Sequence, residues 1–213
     1  MRISLRAGAL IAMLSLLLVL PVLASTRVIH RWIVSSSTPM PQFHRMLVAG
    51  MLDNYVTRQE LEDQLKKLLA KYGVEGVQSY MVLPPNNEMM EHELKQRIKE
   101  SSLDSVLVIR PNVVSQDNES VVRKAAYVPP ADSYTFWPYW NATYGDFYPA
   151  NSSSNANKVV RLDFNLYSTN DERLVWSGET DAIHSRDFEK LGNEYAEMLV
   201  SRLHKDKIII RQK

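Results

Sequence analysis

The chain has 213 residues, with 25 Lys+Arg against 24 Asp+Glu and no cysteine. One ordinary domain plus a targeting segment fits that length, and 45% apolar with 23% charged residues excludes wholesale disorder. The missing Cys excludes a disulfide framework, a thiolate metal site and a cysteine nucleophile, while near-zero net charge leaves no electrostatic footprint for nucleic acid.

Residues 1–24 have the layout of a secretory signal peptide. Arg2 and Arg6 precede the uncharged run Ala7 to Leu20, then Pro21 and the junction Val22-Leu23-Ala24. A retained membrane anchor is the alternative, but the run is short of the ~20 apolar residues that span a bilayer comfortably. An exported chain without Cys needs no oxidative folding, which suits a bacterial periplasm. The N-x-Ser/Thr triplets at Asn118, Asn141 and Asn151 read as loop composition. Residues 25–42 are expected to form an N-terminal strap and linker: Val28 to Val34 is a strand or an apolar strap, and Ser35 to Gln42 is linker-like.

Residues 43–213 read as a single domain. Arg45 to Gly50 is a short buried strand. Thr57-Arg58-Gln59-Glu60 is a capping box that opens a helix. Leu61, Leu65, Leu68 and Tyr72 share its inner face, Arg58/Glu62, Glu62/Lys66 and Asp63/Lys67 pair on its outer face, and Gly73 ends it. Val77 to Leu83 is the next strand, stopped by Pro84-Pro85. A second helix starts near Asn86 or Asn87 with the stripe Met90, Leu94 and Ile98. Val106-Leu107-Val108-Ile109, apolar on both faces, is a central strand that Pro111 interrupts.

Val160, Leu162, Phe164 and Leu166 alternate with polar residues as a half-buried strand does. Thr169-Asn170-Asp171 turns the chain into Leu174 to Gly178. If Leu174 and Trp176 share the face of Leu166 and Phe164, Trp176 lies opposite Phe164 and Arg161 opposite Glu179. Ser185 caps a third helix with Phe188, Leu191, Tyr195, Met198, Leu199 and Leu203 inward, and Ile208 to Ile210 is a terminal strand. The order β-α-β-α-β-loop-β-β-α-β predicts an α/β fold, an α+β sandwich with one mixed sheet and helices packed on it.

Catalytic signatures are sparse. His30, His44, His92, His184 and His204 show no metal-ligand spacing, so no metal and no cofactor is expected. There is no nucleophile elbow and no phosphate-binding glycine loop. Asp163, Glu179 and Asp181 place carboxylates on one sheet face, where salt bridging to Arg161 is the plain reading and catalysis the sharper one. One stretch stands out. Nine of the 19 aromatic residues lie between Tyr127 and Tyr148, inside the long unpatterned segment 115–157. Long loops of this kind are functional or disordered, and Tyr and Trp dominate binding hot spots. Tyr134, Phe136, Trp137, Tyr139, Trp140, Tyr144, Phe147 and Tyr148 are therefore the candidate partner-binding residues. The alternative is a lid that hides its aromatics against the sheet.

These motifs together resemble a family of uncharacterised bacterial envelope lipoproteins. The resemblance runs through Trp32, Met46 to Gly50, Arg58 with Glu62, Ser79-Tyr80, the Val-Leu-Val-Ile strand, the Tyr-rich insertion, Arg161 to Tyr167, and Leu174 to Gly178. It implies a periplasmic α/β module similar to those of outer-membrane lipoproteins that bind and regulate envelope machines, with no catalytic residues. Ser25 stands where such lipoproteins carry their lipidated Cys. The expectation is a non-enzymatic, exported interaction protein. Its partner would be an envelope protein bound through the aromatic segment or, alternatively, a cell-wall glycan stacked on Trp137 and Trp140. Membrane contact would come only through an uncleaved signal segment.

Overall fold

The computed structural model describes residues 28–34, 40–52, 54–83, 91–113, 127–147, 159–180 and 183–211. The signal segment 1–24, residues 35–39 of the linker, the triplets at Asn118 and Asn151, Asp181 and Tyr148 lie outside the described residues. The elements are β1 (Val28–Ile33), β2 (Arg45–Gly50), α1 (Tyr55–Ala70), β3 (Glu75–Gln78), α2 (Ser79–Val82), α3 (Glu91–Glu100), β4 (Ser105–Val113), α4 (Phe136–Phe147), β5 (Val159–Ser168), β6 (Leu174–Thr180), β7 (Ile183–His184) and α5 (Ser185–Lys205). The strands form one mixed sheet in the order β1-β6-β5-β4-β2-β3, with β7 paired to β5. β2 runs parallel to β3 and β4, and the other pairs are antiparallel. This is the expected α/β class.

Helices cover both faces, which is why β2 and β4 are apolar on both. On one face Met46, Val48, Leu107, Ile109, Phe164, Leu166 and Trp176 meet Leu61, Leu65 and Leu69 of α1 and Tyr195, Leu199 and Leu203 of α5. On the other, Leu47, Ala49, Val106, Val108, Tyr167 and Leu174 meet Leu94 and Ile98 of α3 and the aromatic residues of α4. Among the described residues no helix is long and apolar enough to cross a membrane.

Several local expectations are corrected. Of the two readings of Val28 to Val34, the strand holds and the strap does not: Val28–Ile33 pairs with β6 as an edge strand of the same sheet. The helix at 55 is capped by Asn54, whose Oδ1 accepts from the Val56 and Thr57 amides, and not by Thr57, which is buried one turn in. Arg58 and Glu62 face inward. Glu62 Oε1 accepts from Arg58 Nε at 3.1 Å, Ser79 Oγ at 2.6 Å and the Gly50 amide at 2.9 Å. Burial raises the Glu62 pKa, against the lowering pull of Arg58 and those bonds. The strand expected over Val77 to Leu83 stops at Gln78, and the chain turns into α2 so that Ser79 can reach this network. Pro111 stays in the ladder opposite Leu162. The ladder to β2 ends at Ile109, with one further bond from the Met51 amide to Ile109 O, so Pro111 stands just past the end of that pairing. Ile208 to Ile210 forms no strand; Ile208 and Ile209 tuck into the α1/α5 core after α5.

The β5–β6 register also differs. Leu166 opposes Trp176 and Phe164 opposes Gly178, while Tyr167 opposes Leu174. Val175 is thus one extra residue, a β-bulge. Leu174 and Trp176 consequently face different cores. Asp163, not Arg161, lies opposite Glu179.

Candidate functional site

The aromatic segment is not an unpatterned loop. A single turn of 3-10 helix at Ala131–Ser133 leads into the twelve-residue α4. Phe136, Trp140 and Thr143 recur at i, i+4 and i+7, a helical face, and Pro138 sits in the first turn where a missing amide costs nothing. Backbone bonds fasten its start to the β5–β6 hairpin: the Phe136 amide donates to Glu172 O at 2.8 Å, and the Leu174 amide to Tyr134 O at 3.1 Å. Tyr167 Oη donates to Ser133 O at 2.8 Å.

These bonds lay the aromatic rings on the sheet. Phe136, Trp137, Tyr139 and Trp140 are 3, 8, 2 and 4% exposed. Phe136 packs against Trp137, Trp140 and Tyr167, and Tyr139 against Tyr167. Tyr134 is half-buried, edge-on to Trp32. Of the two readings of the segment, a displayed binding surface or a lid that hides its aromatics against the sheet, these four rings follow the second. The strand face below them is apolar, and covering it stabilises the fold more than exposing rings to water would. Tyr144 and Phe147 belong to α4, but their side chains lie outside the described residues, as does Tyr148.

Beyond the aromatic cover the same sheet face becomes charged. Arg110, Asp163, Glu179 and His30 stand in register across β4, β5, β6 and β1. Arg110 Nε lies 3.7 Å from Asp163 Oδ2, Asn112 Nδ2 donates to the same oxygen at 3.2 Å, and Arg161 Nη1 donates to Glu179 Oε1 at 3.1 Å. The Asp163 and Glu179 side chains are only 13 and 12% exposed. Burial pushes Asp163 up to about 6; Arg110 pulls against this and Glu179 adds to it. Tyr127 roofs the row. Its ring stacks on His30 and its hydroxyl lies 3.1 Å from Ser177 Oγ, which donates to Asn165 at 2.7 Å. Each of the two carboxylates has a guanidinium partner on a neighbouring strand, and Arg110 also lies 5.3 Å from the Tyr139 ring centre and donates to Thr143 Oγ1 at 3.4 Å, which ties the row to the cover.

A cleft of about 500 Å³ opens at the opposite end of the cover, and a smaller one of about 220 Å³ lies on the other face between Phe43, Tyr72 and Ile208 to Ile210. The apolar floor of the larger cleft is Ile98, Leu103, Phe136 and Trp137. Lys95, Lys99 and Ser102 enter from the end of α3, and Thr169, Asn170 and Glu172 from the β5–β6 turn. Lys95 Nζ lies 4.7 Å above the Trp137 ring and 2.8 Å from Glu91 Oε1, and Asn141 Nδ2 donates to Glu91 Oε2 at 3.1 Å. The Glu91 contact holds the Lys95 pKa above its usual value. Trp137 Nε1 is buried without a hydrogen-bond partner among the described residues. Asp104 also borders the cleft, but its carboxylate accepts the His44 and Arg45 amides at 2.6 and 3.2 Å. Ser102 and Glu172 both hold left-handed backbone, φ 50° and 58°, where glycine is the usual residue. Lys207 does so too, away from the cleft.

No family model matches the chain, and no curated protein does. Among solved structures it is similar to two crystal forms of the PelC dodecamer from Paraburkholderia phytofirmans. A single-site variant is 12% identical, with 80% of this chain and 94% of that chain covered and a TM-score of 0.40. The other is 13% identical, with 85% and 99% covered and a TM-score of 0.39. Likeness at this distance carries nothing about activity or partners.

Proposed function

We propose that this chain is a non-enzymatic binding module of the bacterial cell envelope and that it takes a glycan in the cleft over Trp137. Export is supported by the signal layout of residues 1–24. The observation that carries the glycan reading is the cleft itself: an aromatic floor bordered by hydroxyl, amide, ammonium and carboxylate groups. Sugar rings present apolar faces edged by hydroxyls that both donate and accept, and sites that take them combine those two surfaces. Of the two expected stacking rings only Trp137 lines the cleft, so stacking falls to it.

The test is co-sedimentation with purified peptidoglycan. Wild type pellets with the polymer, and Trp137→Phe, which keeps a ring in the core but shortens the platform, pellets at least about tenfold less while melting at a similar temperature (tenfold being ~1.4 kcal/mol). Wild type that stays in the supernatant at all polymer loads ends this reading.

A protein partner is the second reading, favoured by one observation. Tyr55, Val56 and Met81 are 53, 60 and 71% exposed where α1 begins and α2 passes, with Tyr55 edge-on to Tyr80. Photocrosslinking from position 81 against position 137 separates the two readings.

A further inference from the structure

We infer that the cleft selects a zwitterionic glycan unit, one that carries a carboxylate and an ammonium together, as a peptide-substituted amino sugar does. The inference rests on the glycan reading and goes further by naming the ligand's charge.

The charges around the cleft are segregated by element. The end of α3 supplies Lys95 and Lys99; the β5–β6 turn supplies Glu172. Two of them make no ion pair within 4 Å and no side-chain hydrogen bond among the described residues: Lys99 and Glu172, the latter near enough to Lys95 to help raise its pKa. Asp104, the other carboxylate at the rim, is consumed by backbone amides. Lys95 is different again: it is paired with Glu91 and parked over the indole, so a ring that stacks on Trp137 must move it.

Three ligand charges then do badly. A neutral sugar that displaces Lys95 and covers Lys99 and Glu172 strips water from those charges and returns no countercharge. A cationic sugar meets two ammonium groups at the α3 side. An anionic sugar satisfies the lysines but sets its charge against Glu172. A unit with both signs puts its carboxylate on Lys95 and Lys99 and its ammonium on Glu172, over a floor of Ile98, Leu103, Phe136 and Trp137. The left-handed backbone of Ser102 and Glu172 fits the same picture, because glycine at position 172 would relieve strain but remove the carboxylate.

Calorimetric titration of the mature chain with four probes tests this. They are a cell-wall disaccharide-tripeptide with a free side-chain amine, the same compound with that amine acetylated, the neutral N-acetylglucosamine tetramer, and its fully deacetylated cationic form. The free-amine compound is expected to bind roughly tenfold more tightly than the other three, the scale of one well-formed charge pairing. Lys99→Ala and Glu172→Gln, both at the rim, each reduce that preference to within about twofold without a change in melting temperature. The inference is overturned if the neutral tetramer or the acetylated compound matches the zwitterion, or if the preference survives both variants. Equal binding by all four probes, weakened throughout by Trp137→Phe, retires the charge selection and leaves the glycan reading standing. Binding by none retires both.

Discussion

The two faces of the sheet are built by different means. Under α1 and α5 the contacts are aliphatic, with Leu61, Leu65, Leu69, Leu199 and Leu203 closing on Met46, Val48 and Leu107. Under α3 and α4 the covering layer is aromatic, and the strand residues grade from Val106 and Tyr167, through Asn165 and Ser177, to the Arg110–Asp163–Glu179 row. The first face buries one compact polar network, Arg58, Glu62 and Ser79 with the Gly50 amide, beside its aliphatic contacts. The second spreads its charged groups across β4, β5, β6 and β1 at one end and leaves a cleft of about 500 Å³ open at the other, and that is where the proposed binding chemistry sits.

Replacing one aromatic of the cover gives the largest expected effect. Trp140→Ala costs about 3–5 kcal/mol in urea denaturation, the range for deleting a buried large side chain. A cost below about 0.5 kcal/mol, typical of an exposed residue, would return α4 to the status of a flap and break the comparison.

The charged row comes next. Asp163 is pushed up to about 6 from an ordinary 3.8. The fold therefore favours its protonated form, so its contribution to stability is complete below about pH 4 and is lost as pH rises through about 6. Asp163→Asn removes that loss. The stability of wild type relative to this variant is expected to fall by about 1–3 kcal/mol between pH 4 and 7, read from urea midpoints at each pH. A flat difference would mean that Arg110 and Asn112 hold the carboxylate ionised throughout.

The smallest change sharpens the aliphatic side. Gly192 lies within α5, and a Cβ there meets nothing within 4 Å. Gly192→Ala should stabilise by about 0.5–1 kcal/mol, seen as a small rise in melting temperature, because alanine narrows the unfolded ensemble and prefers helix.

The aliphatic face was largely legible in the sequence. The Leu61, Leu65, Leu68 stripe, the both-faced apolar run at Val106 to Ile109 and the alternation from Leu162 to Leu166 each follow from simple periodicity. What escaped was what depends on partners distant in the chain. Arg58 and Glu62 continue the inner stripe of α1, yet an i,i+4 ion pair reads as outward until Ser79 and the Gly50 amide are known to need it. The helix at Phe136 carried its own signal in Phe136, Trp140 and Thr143, masked by Pro138 and by the Asn/Ser-rich sequence around it. Of the candidate binding residues, the sequence picked out Trp137, but not Lys99 or Glu172, whose relevance comes only from α3 and the β5–β6 turn meeting across the cleft.

The single supernumerary residue at Val175 has a consequence for how this gene can change. Because the extra residue is what puts Leu174 and Trp176 on opposite faces, losing the codon for Val175 would leave Leu174 opposite Tyr167 and Trp176 opposite Leu166 in an unbroken ladder, each still in its own layer, whereas losing one codon between Trp176 and Thr180 would turn the residues beyond it to the wrong face. Length variation across descendants of this sequence should therefore gather at the Asn170 turn and at position 175 and spare Trp176 to Thr180.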